Sequence, residues 1–285
     1  MSQRSTLTGI ILVLVSAVLF STKSIFIKLA YQETVTPLTL LALRMVSALP
    51  FFLLMVFFSE RKYKQVALHH KDWQAMILLG VGGYYLASLL DFLGLQYVSA
   101  GLERLVLFLY PTITVLITAF ILKQPIRRIT WAAIAVSYIG MALVMLDDIV
   151  HTSELLIWAV LLVCGGAVSY AAYLVGSGEM IKRIGATRFT GITLSIACLC
   201  SLIHFVISAP ENALVLSSRI WLLGLVLGIF CTVIPATLLT NGIRRIGASQ
   251  AALIGAVGPV STLYLGYVVL DEKLTWLQGA GTAFI

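Results

Sequence analysis

The chain is a succession of apolar segments, each about as long as the hydrocarbon core of a membrane is thick. Their predicted bounds are 8–30, 37–58, 73–95, 102–122, 128–147, 155–175, 187–208, 220–242 and 248–270, and a tenth segment begins at Thr275. A helix of about 20 residues spans the roughly 30 Å of hydrocarbon. Charged residues make up only 11% of the chain, against about 25% in soluble domains. The sequence therefore predicts an all-α polytopic membrane protein with ten transmembrane helices.

The tenth segment, from Thr275 to Ile285, is shorter than the others. As a helix it would rise only about 16 Å, roughly half of the hydrocarbon thickness. We therefore expect the tenth helix to be truncated in this chain.

Positively charged residues are concentrated in alternate connections between the apolar segments. One side of the predicted membrane carries thirteen of them: Arg4, Arg61, Lys62, Lys64, Lys71, Lys123, Arg127, Arg128, Lys182, Arg183, Arg188, Arg244 and Arg245. The other side carries three, which are Arg104, Arg219 and Lys273. Because cytoplasmic loops are enriched in Lys and Arg, we predict a multi-pass protein of the cell (inner, cytoplasmic) membrane with a cytoplasmic N-terminus. No basic stretch is long enough to follow a phosphate backbone, so we expect no nucleic-acid partner.

An internal repeat relates the two halves of the sequence. An offset of 148 aligns Gly94–Ala100 with Gly242–Ala248 and Pro111 with Pro259, and an offset of 150 aligns Phe20 with Tyr170. The predicted repeats are 1–147 and 155–285, with five helices each. Because five is odd, the second repeat enters the membrane from the opposite side, in agreement with the charge distribution. Inverted repeats are typical of secondary transporters, whose substrate site lies near the membrane midplane.

Each repeat carries a proline near the middle of its fourth helix, Pro111 in the first and Pro259 in the second. A proline interrupts helical hydrogen bonding and leaves a carbonyl free to line a cavity. We predict helix breaks at the midplane at both positions. The alternative is a packing kink in each helix.

Several motifs resemble the drug/metabolite transporter superfamily, specifically its EamA-type ten-helix members. They are Phe20-Ser21-Thr22-Lys23, Lys28-Leu29-Ala30, Leu43-Arg44, Leu95–Ala100 and Asp271–Thr275, and their order and spacing cover nearly the whole chain. Ser21, Lys23 and Gln124-Pro125 depart from the usual family pattern. The resemblance implies a transporter, but these departures prevent the substrate of better-known members from being carried over.

Three ionisable residues fall at membrane depth, where charge is costly and indicates function. Lys23 and Arg44 each lie about seven residues from the outer end of a predicted helix, and Asp91 lies four residues from one. Asp91 is the natural counter-charge for either cation. We predict that all three line the substrate pathway; the alternative for Arg44 is a buried pair with Asp91 that fixes helix packing.

Tyrosines and a charged pair complete the predicted site. Tyr84, Tyr110 and Tyr170 are candidates for the wall of a cavity, since a tyrosine hydroxyl at membrane depth needs a partner. Glu103 and Arg104 open the predicted fourth helix, and we predict that they form a gate at the outer mouth. The alternative for Glu103 is a simple helix cap, because an acid in the first turn complements the helix dipole.

The sequence carries no enzyme signature, so we predict no catalytic residue, metal site or cofactor. We predict a secondary transporter, most simply an exporter, of small metabolites such as amino acids or related carboxylate or zwitterionic solutes. Phosphorylated or lipid-linked substrates are the alternative, because deep cations suit phosphate as well. A membrane sensor or assembly subunit and an intramembrane enzyme are further alternatives. The expected partners are a small-molecule substrate and the lipid bilayer, with the protein a monomer or homodimer.

Overall fold

The computed structural model describes residues 3–62, 67–121, 123, 131–132, 134–136, 138–139, 154–255 and 257–271. The helices of the first half are α1 (Gln3–Ala30), α2 (Pro37–Lys62), α3 (His70–Leu78), the π-helix π1 (Leu79–Tyr85), α4 (Leu86–Gly94), α5 (Ala100–Leu107) and α6 (Leu109–Ile121). Those of the second half are α7 (Glu154–Ile184), α8 (Ala186–Ser208), α9 (Ser218–Gly228), the π-helix π2 (Ile229–Val233), α10 (Ile234–Ile246), α11 (Ala248–Ile254) and α12 (Val257–Leu270).

Eight helical segments within the described ranges are long and apolar enough to cross a membrane. They correspond to the predicted segments other than the fifth and the tenth. Most of the predicted fifth helix, 128–147, and all of the tenth, from Thr275, lie outside the described residues. The prediction of an all-α polytopic membrane protein is confirmed.

Large apolar side chains cover the outer surface of the bundle. Phe58, Phe120, Val206 and Ile207 are among them, and Val206 is 80% exposed. Such a surface is unfavourable in water and suits contact with lipid chains. The polar and charged side chains that are buried therefore lie inside the bundle, between helices.

Two glycines at corresponding positions bring helices of the two halves close together. A Cβ atom on Gly94 of α4 would lie 2.5 Å from Cγ2 of Val163 on α7, and one on Gly242 of α10 would lie 2.4 Å from Cγ2 of Val13 on α1. Small residues allow this close helix packing in membranes. The offset of 148 relates the glycines and the offset of 150 relates the valines, so the halves contact each other through corresponding surfaces.

The two π-helices also lie at corresponding positions. Residues 81–85 of π1 align with π2, Ile229–Val233, at the offset of 148. A π-helix widens one turn of an α-helix and is frequent at functional sites. Neither segment was predicted from the sequence, because neither contains a proline or another residue that is typical of a π-helical turn.

Both helices that contain the predicted breaks are interrupted, a few residues before each proline. In the first half α5 ends at Leu107 and α6 begins at Leu109; in the second, α11 ends at Ile254 and α12 begins at Val257. A proline has no N–H group to donate to the carbonyl four residues earlier. The residues four before Pro111 and Pro259 are Leu107 and Gly255, which both line the cavity described next.

Candidate functional site

A cavity with an empty volume of about 720 Å³ lies between the two halves. Its wall consists of Val13, Ser16, Ala17, Phe20, Lys23, Arg44, Tyr84, Ala87, Ser88, Asp91, Arg104, Leu107, Tyr110, Tyr170, Leu174, Leu239, Ala251, Ala252 and Gly255. Both halves contribute to this wall.

All six residues predicted for the substrate pathway lie on the wall of this cavity: Lys23, Arg44, Asp91, Tyr84, Tyr110 and Tyr170. Of the predicted outer gate, Arg104 lies on the wall, whereas Glu103 is fully buried behind it. Arg104 itself is only 7% exposed. The geometry therefore places both members of the predicted gate inside the bundle instead of at an open mouth.

The acid at depth forms its ion pair with Lys23. Lys23 Nζ donates to Asp91 Oδ2 across the interface between α1 and α4. Both residues are buried, so each charge depends largely on its protein partner. Asp91 Oδ1 has no hydrogen-bond partner among the described residues. Of the two cations that the sequence offered as partners for Asp91, the structure selects Lys23.

Arg44 is buried in the cavity wall and donates to hydroxyl groups. Its Nε donates to Thr232 Oγ1 at 2.6 Å, and its terminal nitrogens are 3.4 Å from Ser88 Oγ and 3.3 Å from the Tyr84 hydroxyl. The guanidinium carbon also lies 5.4 Å from the centre of the Phe92 ring. In the described part of the chain no carboxylate forms an ion pair with Arg44. The predicted alternative, a buried Arg44–Asp91 pair, is not found there.

The two π-helices supply two of these hydroxyls. Tyr84 lies on π1 and Thr232 on π2, and the offset of 148 relates them. Thr232 Oγ1 itself donates to the Leu227 carbonyl at 2.8 Å, which orients its lone pair toward Arg44. One buried guanidinium is therefore held by matching turns of both halves.

Arg104 lies against the helix break of the second half. A Cβ atom on Gly258 would lie 2.5 Å from the Nη2 atom of Arg104, and that nitrogen is 3.5 Å from Ser21 Oγ. Ser21 Oγ in turn donates to the Gly258 carbonyl at 2.9 Å. In this arrangement the guanidinium occupies the space that a side chain at residue 258 would need.

Three tyrosines of the cavity wall, Tyr84, Tyr110 and Tyr170, are joined by Tyr173 behind them into one aromatic cluster, here called the aromatic wall. The rings of Tyr110 and Tyr170 meet edge to face with centres 5.2 Å apart, and those of Tyr84 and Tyr173 do so at 5.4 Å. Tyr170 stacks on Tyr173 at 6.1 Å and joins the two pairs. The wall offers ring faces and edges to the apolar part of a bound molecule.

The wall of the cavity combines charged side chains with aromatic ones. Within the described ranges no group of three or more His, Cys, Asp and Glu residues could hold a metal ion. The charged groups of the cavity are three cations and one carboxylate, namely Lys23, Arg44, Arg104 and Asp91. Such a set can bind a small molecule that carries an anionic group.

Comparison with known proteins gives the family. The model of the EamA-like transporter family matches residues 7–146 and 157–285. The uncharacterized transporter YcbK of Bacillus subtilis (strain 168) is 34% identical over 292 residues, which cover 99% of this chain and 92% of that protein. The uncharacterized transporter sll1319 of Synechocystis sp. is 26% identical, over 98% of this chain and 91% of that protein.

A solved crystal structure shares the fold. It superposes with a TM-score of 0.76 at 19% identity and covers 100% of this chain and 94% of that chain. The helices, the cavity and these matches agree with one another. The chain is a multi-pass membrane protein that belongs to the EamA-like transporter family, and through it to the drug/metabolite transporter superfamily.

Proposed function

We propose that the protein is a secondary transporter that exports small zwitterionic or carboxylate-bearing metabolites, such as amino acids, by alternating access. One observation carries this proposal: the buried guanidinium of Arg44 lines the cavity, and its described hydrogen bonds go to hydroxyls. A buried cation without a carboxylate partner is costly. An anionic group of the solute would supply that partner.

The geometry of Arg44 favours a carboxylate as its ligand. A guanidinium has five N–H donors in a planar fork, which matches the two oxygens of a carboxylate. The bonds to Ser88 and Tyr84 are long, at 3.4 and 3.3 Å. A bidentate, charge-assisted pair is stronger than either, so a solute carboxylate can displace them at little cost.

Asp91 supports the proposal that the solute carries an ammonium group in addition to its carboxylate. Its Oδ2 accepts from Lys23, while its buried Oδ1 has no hydrogen-bond partner among the described residues. Asp91 also lies on the cavity wall. A solute ammonium can therefore donate to Oδ1 while the solute carboxylate binds Arg44, with the aromatic wall beside the apolar part.

Alternating access is supported by the contacts between the halves. Corresponding glycines bring α4 onto α7 and α10 onto α1, and the cavity lies where these helices meet. Rocking of one half against the other around a fixed site is the usual mechanism of transporters with inverted repeats. With the predicted cytoplasmic N-terminus, the positively charged cavity would collect anionic groups from the cell interior.

A phosphorylated solute is the second candidate. Its support is the third cation, Arg104, which lies on the cavity wall with Lys23 and Arg44. Three cations against one carboxylate suit a dianion better than a zwitterion. The first candidate predicts transport of amino acids, and the second predicts transport of phosphorylated solutes.

Counterflow into proteoliposomes tests the proposal. Vesicles loaded with an unlabelled amino acid are supplied with trace labelled amino acid, and a parallel set uses phosphorylated sugars. We expect amino-acid counterflow that is lost in Arg44→Ala and Lys23→Ala but kept in Arg219→Ala, whose residue is exposed at one end of the bundle. Counterflow of phosphorylated sugars alone would favour the second candidate, and unchanged amino-acid counterflow in both cavity variants would contradict the site.

Orientation is tested by thiol labelling. Single cysteines are placed at the exposed positions Glu179 and Asn212 after replacement of the native cysteines by serine. The predicted topology puts Glu179 in the cytoplasm and Asn212 outside, so an impermeant reagent added to intact cells should label only the second. Labelling of both would contradict the predicted topology.

A further inference from the structure

Glu103 is a buried acid that the proposed solute site does not use. It is fully buried and does not lie on the cavity wall. Its Oε2 accepts a hydrogen bond from Ser24 Oγ at 2.6 Å, and its Oε1 lies 3.7 Å from Lys23 Nζ. Oε1 has no hydrogen-bond partner among the described residues.

The alternative role as a helix cap does not explain this carboxylate. Ser99 is the N-cap of α5, and its Oγ accepts from the Leu102 amide at 3.1 Å. The side chain of Glu103 instead crosses to α1, where Ser24 and Lys23 meet it. Its position therefore requires another explanation.

Two carboxyl groups share one ammonium at this place. Lys23 Nζ pairs with Asp91 Oδ2 and lies 3.7 Å from Glu103 Oε1, so one buried ammonium faces both carboxyl groups. Each of them leaves one buried oxygen without a donor, Oδ1 of Asp91 and Oε1 of Glu103. Two buried carboxylates around one ammonium leave an uncompensated negative charge, and a proton on one carboxyl group removes it.

The charged and titratable groups around this cluster come from several helices. Lys23 on α1 and Asp91 on α4 face Glu103, and Arg104 follows it on α5. Arg44 on α2 and Tyr31 are also near enough to Asp91 to interact with it electrostatically. Helix α12, which packs on α1 and α5, has no charged residue. Burial raises the pKa of Tyr31, which lies just beyond α1, so that hydroxyl stays neutral and donates to the Phe92 carbonyl.

We propose that Asp91 and Glu103, arranged around Lys23, form a proton-binding site, and that the transporter exchanges its solute for a proton. The two carboxyl groups share one proton, and each of them has a buried oxygen free to take it. A solute ammonium that donates to Asp91 takes the free oxygen of that carboxyl group, and its positive charge favours the carboxylate form of Glu103. The proton then leaves, and it returns when the solute dissociates. This coupling rests on the proposed function, whereas the proton site itself does not.

Infrared titration tests the proton site with the proton as the only probe. Spectra of the full chain in detergent are recorded between about pH 6 and pH 9, a range in which exposed carboxyl groups stay ionised. We expect a protonated-carboxyl band that titrates in the wild type, disappears in Glu103→Gln and remains in Glu179→Gln, whose residue is exposed. A wild type without a titrating band, or a Glu103→Gln variant that keeps it unchanged, would overturn the proposal.

Ser24→Ala gives a second measurement that leaves both carboxyl groups in place. Ser24 donates to Glu103, and a hydrogen bond to the charged form favours that form. Without it the midpoint of the titration should rise by about one pH unit, which corresponds to the free energy of one such bond. An unchanged or lower midpoint would place the titrating group elsewhere.

Transport under a pH gradient separates the coupling from the proposed function. A gradient of one unit supports up to about tenfold accumulation in a one-to-one exchange. We expect the wild type to accumulate the labelled amino acid that gives counterflow, and Glu103→Gln to retain counterflow without gradient-driven accumulation. Counterflow without accumulation in the wild type overturns the coupling, while the lack of counterflow for any amino acid overturns the proposed function and leaves the infrared result to judge the proton site.

Discussion

The two halves of the molecule have corresponding helices but contribute different chemistry to the cavity. The first half supplies the charged side chains of its wall, Lys23, Arg44, Asp91 and Arg104. The second half has other residues at the corresponding positions, which are Tyr173 for Lys23, Leu239 for Asp91, Ala252 for Arg104 and Gly258 for Tyr110. One half therefore carries the charged groups of the wall, and the other supplies apolar surface and space.

Arg44 also has a counterpart in the second half, which is identified by the helix that packs against it. A Cβ atom on Gly80 would lie 2.7 Å from the carbonyl of Thr193, and one on the corresponding Gly228 would lie 2.7 Å from the carbonyl of Arg44. Arg44 and Thr193 thus occupy equivalent places. Where the first half carries a guanidinium, the second carries a hydroxyl.

The small residues of the second half accommodate the large ones of the first. A Cβ atom on Gly255 would lie 2.2 Å from the Tyr110 hydroxyl, and one on Gly258 would overlap Arg104. Repetition of the same helices can therefore preserve the architecture while a single set of charges occupies the centre. Four changes test this division, beginning with the largest expected effect.

Asp91→Leu gives the first half the residue of the second half. It leaves Lys23 buried without its carboxylate, and the loss of one partner from a buried pair costs about 3–5 kcal/mol. We expect the free energy of unfolding in detergent to fall by about this amount. The double variant with Lys23→Met should regain most of it, and a single variant as stable as the wild type would contradict the assigned ion pair.

Arg44→Lys keeps the positive charge but loses the planar fork. The hydrogen bonds of a charged donor contribute about 1.5–3 kcal/mol each, so the affinity for an amino acid should fall about 10–100-fold. Competition for counterflow measures this affinity. Arg183→Lys is the matched control, because Arg183 is a partly exposed arginine paired with Asp72; an equal loss in both variants would point to a general effect of the substitution.

Gly255→Ala tests the space that the second half provides. The new Cβ would displace the Tyr110 hydroxyl, and overpacking of this kind costs about 1–3 kcal/mol. We expect a lower midpoint of thermal unfolding and weaker solute binding. Gly82→Ala serves as the control, since its Cβ would meet only Leu78 at an ordinary 3.8 Å.

Tyr170→Phe makes the aromatic wall resemble the first half, which has Phe20 at the corresponding position. It keeps the ring contacts with Tyr110 and Tyr173, so counterflow of leucine should change by less than about threefold. Tyr170→Ala removes the ring and should cost leucine about 0.5–1.5 kcal/mol, with a smaller effect on glycine. Equal effects on leucine and glycine would show that the wall does not contact the apolar part of the solute.

The sequence was sufficient to predict the eight membrane spans of the described residues and three of the four charged residues on the cavity wall. Runs of about 20 apolar residues report the spans directly, and Lys23, Arg44 and Asp91 stood out because charge at membrane depth is costly. The pairing of Asp91 with Lys23 could not be predicted, since it depends on the rotation and spacing of α1, α2 and α4. Lys23 and Arg44 each lie about seven residues from the outer end of a predicted helix, so the sequence does not distinguish them as partners of Asp91.

Two features of the site gave weaker signals in the sequence. The π-helices contain no residue that distinguishes them from an α-helix, although they position Tyr84 and Thr232 on Arg44. Glu103 in a first turn resembles a cap, and only the Ser99 hydrogen bond to Leu102 shows that the cap is elsewhere. The serine three residues before Leu102 was the available signal.

The central claim is that charged side chains of the first half bind both the carboxylate and the ammonium of a zwitterionic solute. Three matched competitors test it most directly. The three share the same branched side chain. Leucine carries both charges, 3-methylbutylamine carries only the ammonium, and 4-methylpentanoate carries only the carboxylate. In counterflow with labelled leucine, the account predicts that leucine competes at least about tenfold better than either analogue, because each analogue lacks one charge-assisted contact. Competition by the amine or the acid as strong as that of leucine would contradict it.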